Sequence, residues 1–369
     1  MKLPAEHAQG SIMSTAPLTE LLGIDLPVIQ APMAGVQGSA LAIAVSEAGG
    51  LGSLPAAMLG DDALRKELAA IRAATSRPFN VNFFAHQPPV PDAARDADWK
   101  QALRPYYAEF DANEADIPQG PGRRPFGAEV AEVIEAFRPP VISFHFGLPD
   151  EALLARVRSW GAKVLSSATT VAEARWLADR GVDAIIAQGL EAGGHRGLFL
   201  SDDVGTQVGL FALLPQIVRE VRVPVIAAGG IADVQGVAAA RALGAAGVQV
   251  GTAYLLCPES TTSALHRAAL RSEGAAETAL TNVFSGRPAR GIVNRAMREL
   301  GPISAVAPAF PLATAAIAPL RAKAEAAGLS DFSPLWSGQN ASGCREVPAA
   351  QLTRDLAAGW AASPASAGS

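Results

Sequence analysis

Apolar residues in this chain gather in eight short runs, at positions 27–31, 51–55, 79–84, 141–146, 163–167, 184–188, 224–228 and 247–251. The runs are too short for helices and almost continuously apolar, as in Ala184-Ile185-Ile186-Ala187. That pattern predicts strands covered on both faces. Helical periodicity fills most of the gaps. Asp150 begins one helix, with Leu153, Leu154 and Val157 on one face and Gly161 past its end. Thr170 and Glu173 form a capping box for the next, which Gly181 closes. Asp233 caps a third, running through Val237 and Ala240 to Gly244.

Eight β-α repeats predict a closed (β/α)8 TIM barrel within the α/β class. A doubly wound sheet usually carries its glycine-rich phosphate turn after the first strand. Here the first strand runs into Gln30-Ala31-Pro32-Met33-Ala34-Gly35, and the glycine turns follow the last strands, where barrels hold phosphate.

Two stretches break the repeat. Residues 86–135 are too long for one helix and contain Pro88, Pro89, Pro91, Pro105, Pro118, Pro121 and Pro125, so an excursion over the barrel mouth is expected. Residues 258–335 predict a mostly helical cap domain over the barrel top. The expected organisation is a flexible leader (1–15), the barrel (16–257), the cap (258–335) and a segment (336–369) that returns to the barrel and ends in a frayed tail.

Composition narrows the class. An apolar fraction of 49% with 18% charged residues fits a globular protein with a large core. A net charge of −5 argues against a general nucleic-acid binder. No apolar run is long enough for a transmembrane helix, and the leader lacks the apolar centre of a signal peptide. Cys257 and Cys344 match neither a disulfide framework nor a metal spacing. Both read as small buried filler in a cytoplasmic protein.

Candidate chemistry lies at the strand ends. Gly229 and Gly230 follow the seventh run, and Gly251 and Thr252 the eighth. Two such turns on adjacent strands offer backbone N–H groups to a phosphate. The amides of Gln30, Asn82 and Gln188 end apolar strands and together suit the edge of a heteroaromatic ring. His195, in Gly193-Gly194-His195-Arg196-Gly197, is placed for acid–base work. His145 suits substrate or flavin contact, with a structural bond as the other reading, and His86 stays undecided. His7 and His266 read as surface residues. Three histidines at one mouth raise a metal site, but there is no His-x-His pair and no acid at the end of the eighth strand, so no metal is expected. Lys163 starts the fifth strand, the wrong end for catalysis. Arg287 and Arg290 read either as an anion clamp or as a solvated pair, and Trp336 either seals the pocket or packs the cap.

These motifs resemble the nitronate monooxygenases over residues 17–340. The resemblance rests on Gln30-Ala31-Pro32-Met33, Val81-Asn82-Phe83, Ser143-Phe144-His145-Phe146-Gly147, the segment 188–197, Ala228-Gly229-Gly230-Ile231 and Gln249-Val250-Gly251-Thr252. The block 284–291 and Leu335-Trp336-Ser337-Gly338-Gln339 resemble the class I branch. The resemblance implies noncovalent FMN, with phosphate on Gly193, Gly230, Gly251 and Thr252, and with Gly194, Gly229, Gln249 and Val250 in the same motifs. Asn82, Gln188, Ala31, Pro32 and Met33 would face the flavin, His195 would be the catalytic base, and His145 would touch substrate. Implied substrates are alkyl nitronates, propionate 3-nitronate included, and some nitroalkanes. With O2 they would give a carbonyl compound and nitrite, with no nucleic-acid or membrane partner, in a monomer or homodimer. Pocket tyrosines common in the family are hard to place, because the chain has only Tyr106, Tyr107 and Tyr254, none of them in the segment 258–335. The glycine–histidine turn is shared with flavin-dependent enoyl-thioester and NAD(P)H:quinone reductases, which form the alternative, followed by a flavin-binding protein without turnover.

Overall fold

The computed structural model describes residues 17–120 and 122–361. The expected leader and the last residues of the tail lie outside that range. All eight apolar runs form parallel strands: β1 (Val28–Gln30), β2 (Gly52–Pro55), β3 (Phe79–Phe84), β4 (Val141–His145), β5 (Lys163–Ala168), β6 (Ala184–Gln188), and, after a short extra strand β7 (Gly194–His195), β8 (Val225–Ala228) and β9 (Gly247–Val250). Their order is β1-β9-β8-β6-β5-β4-β3-β2, and a parallel bridge from Ile29 to Leu51 joins the two ends. The sheet is therefore a closed TIM barrel.

Alternation along each strand divides the core. Ile29, Leu51, Leu165, Ala184, Ile186 and Ile226 pack inside the barrel, and α1 (Leu18–Leu22) adds Leu18 and Leu22 to that cluster. Val28, Val81, Ile142, Val164, Ile185 and Val248 point outward into the layer of helices. That layer holds α2 (Ser39–Glu47), α3 (Asp61–Ala74), α5 (Ala128–Phe137), α6 (Glu151–Arg158), α7 (Val171–Asp179), α8 (Leu210–Glu220) and α9 (Val234–Ala242). The expected caps form: Asp150 accepts from Leu153 N, Thr170 from Glu173 N and Asp233 from Gly236 N. The box at Thr170 is only half made, because the buried Glu173 carboxylate takes Thr169 N and Oγ1 and, 26 residues on, Phe199 N.

After β9 the chain leaves the barrel and returns as α13 (Ala349–Ala361), which packs against α9 and α2 in the place of an eighth barrel helix. Between them lie α10 (Ala264–Arg271), β10 (Thr278–Thr281), β11 (Ala289–Ile292), α11 (Arg295–Glu299) and α12 (Ala313–Ala326). The excursion belongs to this cap. Its helix α4 (Ala93–Glu109) packs on α12, with the Trp99 indole donating to Ala313 O and the Tyr107 hydroxyl to Ala316 O. Trp99, Leu103, Val283, Phe284, Ile317 and Phe332 make a second core separate from the barrel's. The cap is helical except for an antiparallel sheet, β10-β11-β7, that the sequence reading did not contain. Through β7 this sheet reaches into the barrel mouth. Among the described residues, no helix is long and apolar enough to cross a membrane.

Candidate active site

The strand C-termini open into a cavity of about 190 Å³ under the cap. Among the described residues, no aspartate or glutamate lines it.

On one side lie the glycine turns. Gly229 and Gly230 have φ of 121° and 69°, a conformation that a side chain would strain. The N–H groups of Gly193, Gly230, Gly251 and Thr252 find no acceptor among the described residues. Free backbone N–H groups on neighbouring turns suit a phosphate. A fourth segment, 337–340, completes the turn cluster. Gly338 N donates to Thr252 Oγ1 at 3.0 Å, and Asn340 Nδ2 to Gly230 O at 3.1 Å. This segment presses so closely on Gly193 that a Cβ there would lie 2.5 Å from Gly338 N. Gln249 adds a buried Oε1 with no partner. Ala31, Pro32, Met33, Asn82 and Val250 also line the cavity. These free donors and the unpartnered acceptor match the phosphate and ring edge of a flavin nucleotide.

His195 lines the same cavity from β7, where Ala289 of β11 pairs with it. Its carbonyl oxygen accepts from His145 Nε2 at 3.0 Å and from Gln188 Nε2 at 2.9 Å. Its ring Nε2 meets Ser285 Oγ at 2.9 Å, and its Nδ1 has no partner among the described residues. Ser285 Oγ also lies 3.3 Å from Arg287 O. With the hydroxyl proton directed there, Nε2 carries hydrogen and Nδ1 keeps a free lone pair. Burial, then the charges of Arg123, His145, Arg287 and His86, hold the His195 pKa well below the ordinary histidine value. The ring is neutral at pH 7, which is the form a base requires.

Several expected site residues do other work. Gln30 is a correction: it shares the outward orientation of Val28, does not line the cavity, and bonds Gln37 Oε1 at 2.6 Å and Ser53 N at 3.0 Å. Gln188 lines the cavity, but both ends of its amide are committed, to His195 O and to Gly197 N. His145 also lines it, yet its nitrogens are taken by Ser167 Oγ at 3.0 Å and His195 O. It anchors the His195 backbone and leaves only its ring edge toward the cavity. His266, read as a surface residue, is buried on α10 and lines the cavity. Arg290 is neither clamp nor solvated pair: buried, it ties Leu190 O to Thr278. Arg287 donates to Leu198 O and lies over the Phe146 ring at 4.3 Å. Trp336 lines the cavity with its ring 5.6 Å from His195. Tyr106 and Tyr107 belong to the cap core, and Tyr254 bonds Thr353, so no tyrosine lines the cavity. No group of three or more His, Cys, Asp or Glu residues able to hold a metal occurs among the described residues. Both thiols are pushed up to about 12 by burial.

Arg196 was missed by sequence reasoning. It is fully buried, and its guanidinium donates to Gln188 O at 2.8 Å, Gly189 O at 2.7 Å and Gln207 Oε1 at 2.9 Å. It braces the loop that leads to His195. Arg196→Met strands these acceptors, at about 1–3 kcal/mol for each one left unsatisfied. Thermal denaturation is expected to show a loss of at least ~2 kcal/mol, and an unchanged melting temperature would refute the bracing role.

His86, His145 and His266 add a pH dependence. Burial is the largest cause in each case and pushes all three down to about 4. An unfolded histidine takes its proton near 6.5, so the unfolded chain binds more protons between ~pH 6.5 and ~4. Stability is therefore full above that window and falls through it, by about 1.4 kcal/mol per pH unit for each histidine. Calorimetry across the window checks this, and a flat melting temperature contradicts it.

Residues 15–359 match the sequence model of the nitronate monooxygenase family. A nitronate monooxygenase of Paraburkholderia phytofirmans strain PsJN is 44% identical over 345 residues, spanning 92% of this chain and 93% of its own. The crystal structure of nitroalkane oxidase from Streptomyces ansochromogenes is similar at a TM-score of 0.83 and 41% identity, over 93% of this chain and 97% of that one. FabK from Thermotoga maritima is similar at a TM-score of 0.69 and 28% identity, over 94% and 97%.

Proposed function

The chain belongs to the nitronate monooxygenase family of oxidoreductases, and on that premise we propose that it binds FMN in this cavity and oxidises alkyl nitronates, propionate 3-nitronate among them, and neutral nitroalkanes. Oxygen is the oxidant, and the products are a carbonyl compound and nitrite. One observation carries the reading: a neutral, rigidly held imidazole shares a cavity with backbone N–H groups of three glycine turns that lack acceptors among the described residues.

Gly193, Gly230, Gly251 and Thr252 would hold the FMN phosphate, while Gln249, Asn82 and the Ala31–Pro32–Met33 wall would meet the ring system. Bound FMN supplies an electron acceptor for the electron-rich nitronate carbon. The protein's part is position and proton transfer. A nitronate arrives already deprotonated and needs only to be held. A nitroalkane must first lose its α-proton, and Nδ1 of His195 is the lone pair free to take it. Ser285 and the cap strand β11 fix the ring plane, and His145 and Gln188 fix the backbone behind it. Phe84, Phe146, Phe310 and Trp336 surround the imidazole with apolar surface and keep bulk water from it. Phe146 is held at a φ of 71°, a strained backbone for a bulky residue, beside the base it covers.

The test is nitrite release from ethylnitronate in air by purified, FMN-loaded protein. Stoichiometric nitrite and aldehyde support the reading. Bound FMN with neither nitrite release nor nicotinamide oxidation would leave a flavin carrier without turnover.

A further inference from the structure

One wall of the cavity carries a positive charge that the protein leaves unneutralised. Arg123, in the excursion between α4 and α5, lines the cavity together with Phe84, His145 and His195. It is half-buried. Its guanidinium lies 5.7 Å from the Phe310 ring centroid, and that ring lies 5.3 Å from the ring of His195. Its one side-chain hydrogen bond is a long 3.5 Å contact to Thr314 Oγ1. Among the described residues it forms no ion pair, its only charged influence is the like charge of Arg321, and the cavity has no acidic side chain to offer it. A charge withdrawn from water without a partner is costly, and proteins usually pair it. The FMN phosphate is not that partner. Arg123 stands beside Phe84, on β3, whereas Gly229 and Gly230 follow β8, which is four strands away around an eight-stranded barrel and so diametrically opposite.

We propose that Arg123 determines specificity by receiving an anionic tail, a carboxylate borne on the alkyl chain of the nitronate substrate. The planar guanidinium fork matches a carboxylate with two parallel hydrogen bonds. Phe84, which lines the cavity with both groups and has its ring 6.0 Å from that of His195, supplies an apolar surface for the intervening methylenes. The charge also reaches the reacting end: Arg123 is the largest electrostatic contributor, after burial, to the lowered His195 pKa. The inference rests on the nitronate reading for the identity of the other end of the substrate, but the anion subsite can be tested apart from turnover.

Succinate copies the length and the two terminal charges of propionate 3-nitronate and carries no nitronate group. Calorimetric titration of the FMN-loaded protein is expected to show succinate binding that weakens about 10- to 100-fold in Arg123→Met and lies between the two in Arg123→Lys. In turnover, Arg123→Met should raise KM for propionate 3-nitronate by a similar factor. Its kcat/KM for propyl-1-nitronate, which has the same carbon chain without the carboxylate, should stay near wild type. The proposal is overturned if wild-type protein does not bind succinate, if Arg123→Met binds it equally well, or if both nitronates lose activity together. A protein that turns over neither nitronate contradicts the functional reading instead, and the succinate comparison still decides the role of Arg123.

Discussion

His195→Asn is expected to lower kcat/KM for nitroethane by about 10²–10⁴-fold, the usual contribution of a positioned general base, while ethylnitronate turnover stays within reach of wild type. The asymmetry follows from where the proton is. The nitronate has already lost it, so the variant lacks nothing that this substrate needs except ring packing. Asparagine gives up the Nε2 contact to Ser285 but leaves the β7–β11 backbone pairing in place, so the loop survives the change. A second readout comes from pH. Because burial and neighbouring cations hold the imidazole neutral, wild-type nitroalkane activity should show no histidine limb near 6.5 and should fall only at more acid pH. Equal losses on both substrates, with FMN still bound, would contradict the base assignment.

Gly193→Ala carries the second large effect. The added Cβ would stand 2.5 Å from Gly338 N and 2.6 Å from Ser337 C, both backbone atoms of the segment that bonds Thr252 and Gly230. Neither atom can turn aside as a flexible side chain would, so the segment must lift and the N–H cluster open. Hydrogen bonds to a charged group are worth about 1.5–3 kcal/mol each, so losing two weakens FMN binding by about 10²-fold or more. Gly194→Ala separates this clash from simple backbone strain. Gly194 has a φ of 71°, but nothing stands within 4 Å of a Cβ there. Its variant should lose only the roughly 1–2 kcal/mol of a left-handed residue. Fluorescence titration of FMN into both apoproteins reads the difference, and equal affinities would refute the close-packing argument.

The barrel was legible because a strand buried on both faces is mostly apolar and keeps only the few polar residues that find partners. Its apolar run is then cut off sharply by the turn, as Ala184–Gln188 is by Gly189. The glycine turns were legible for the same reason. What failed to show was pairing at a distance. β7 is two residues long, and its partner, β11, begins at Ala289, so no local period announces that a cap strand holds His195. The bracing role of Arg196 and the long reach of Glu173 escaped notice because a buried charge is defined by its acceptors and donors, and those lie 4 to 27 residues away. Two errors had a signal. Gln30 follows Ile29, and strand alternation turns it out of the barrel if Ile29 points in. His266 stands four residues before the buried Leu270 on one helix face, which marks it as inward. The tyrosines looked absent from the cap only because the excursion helix that carries Tyr106 and Tyr107 had not been assigned to it.

The most direct test of the central claim, that this cavity oxidises nitronates at a bound flavin, is anaerobic mixing of the FMN-loaded protein with ethylnitronate and, separately, with NADH, followed through the flavin absorption. Rapid change with ethylnitronate and none with NADH is the expected result. Bleaching by NADH with no response to the nitronate would make the protein a nicotinamide-dependent reductase and contradict the account.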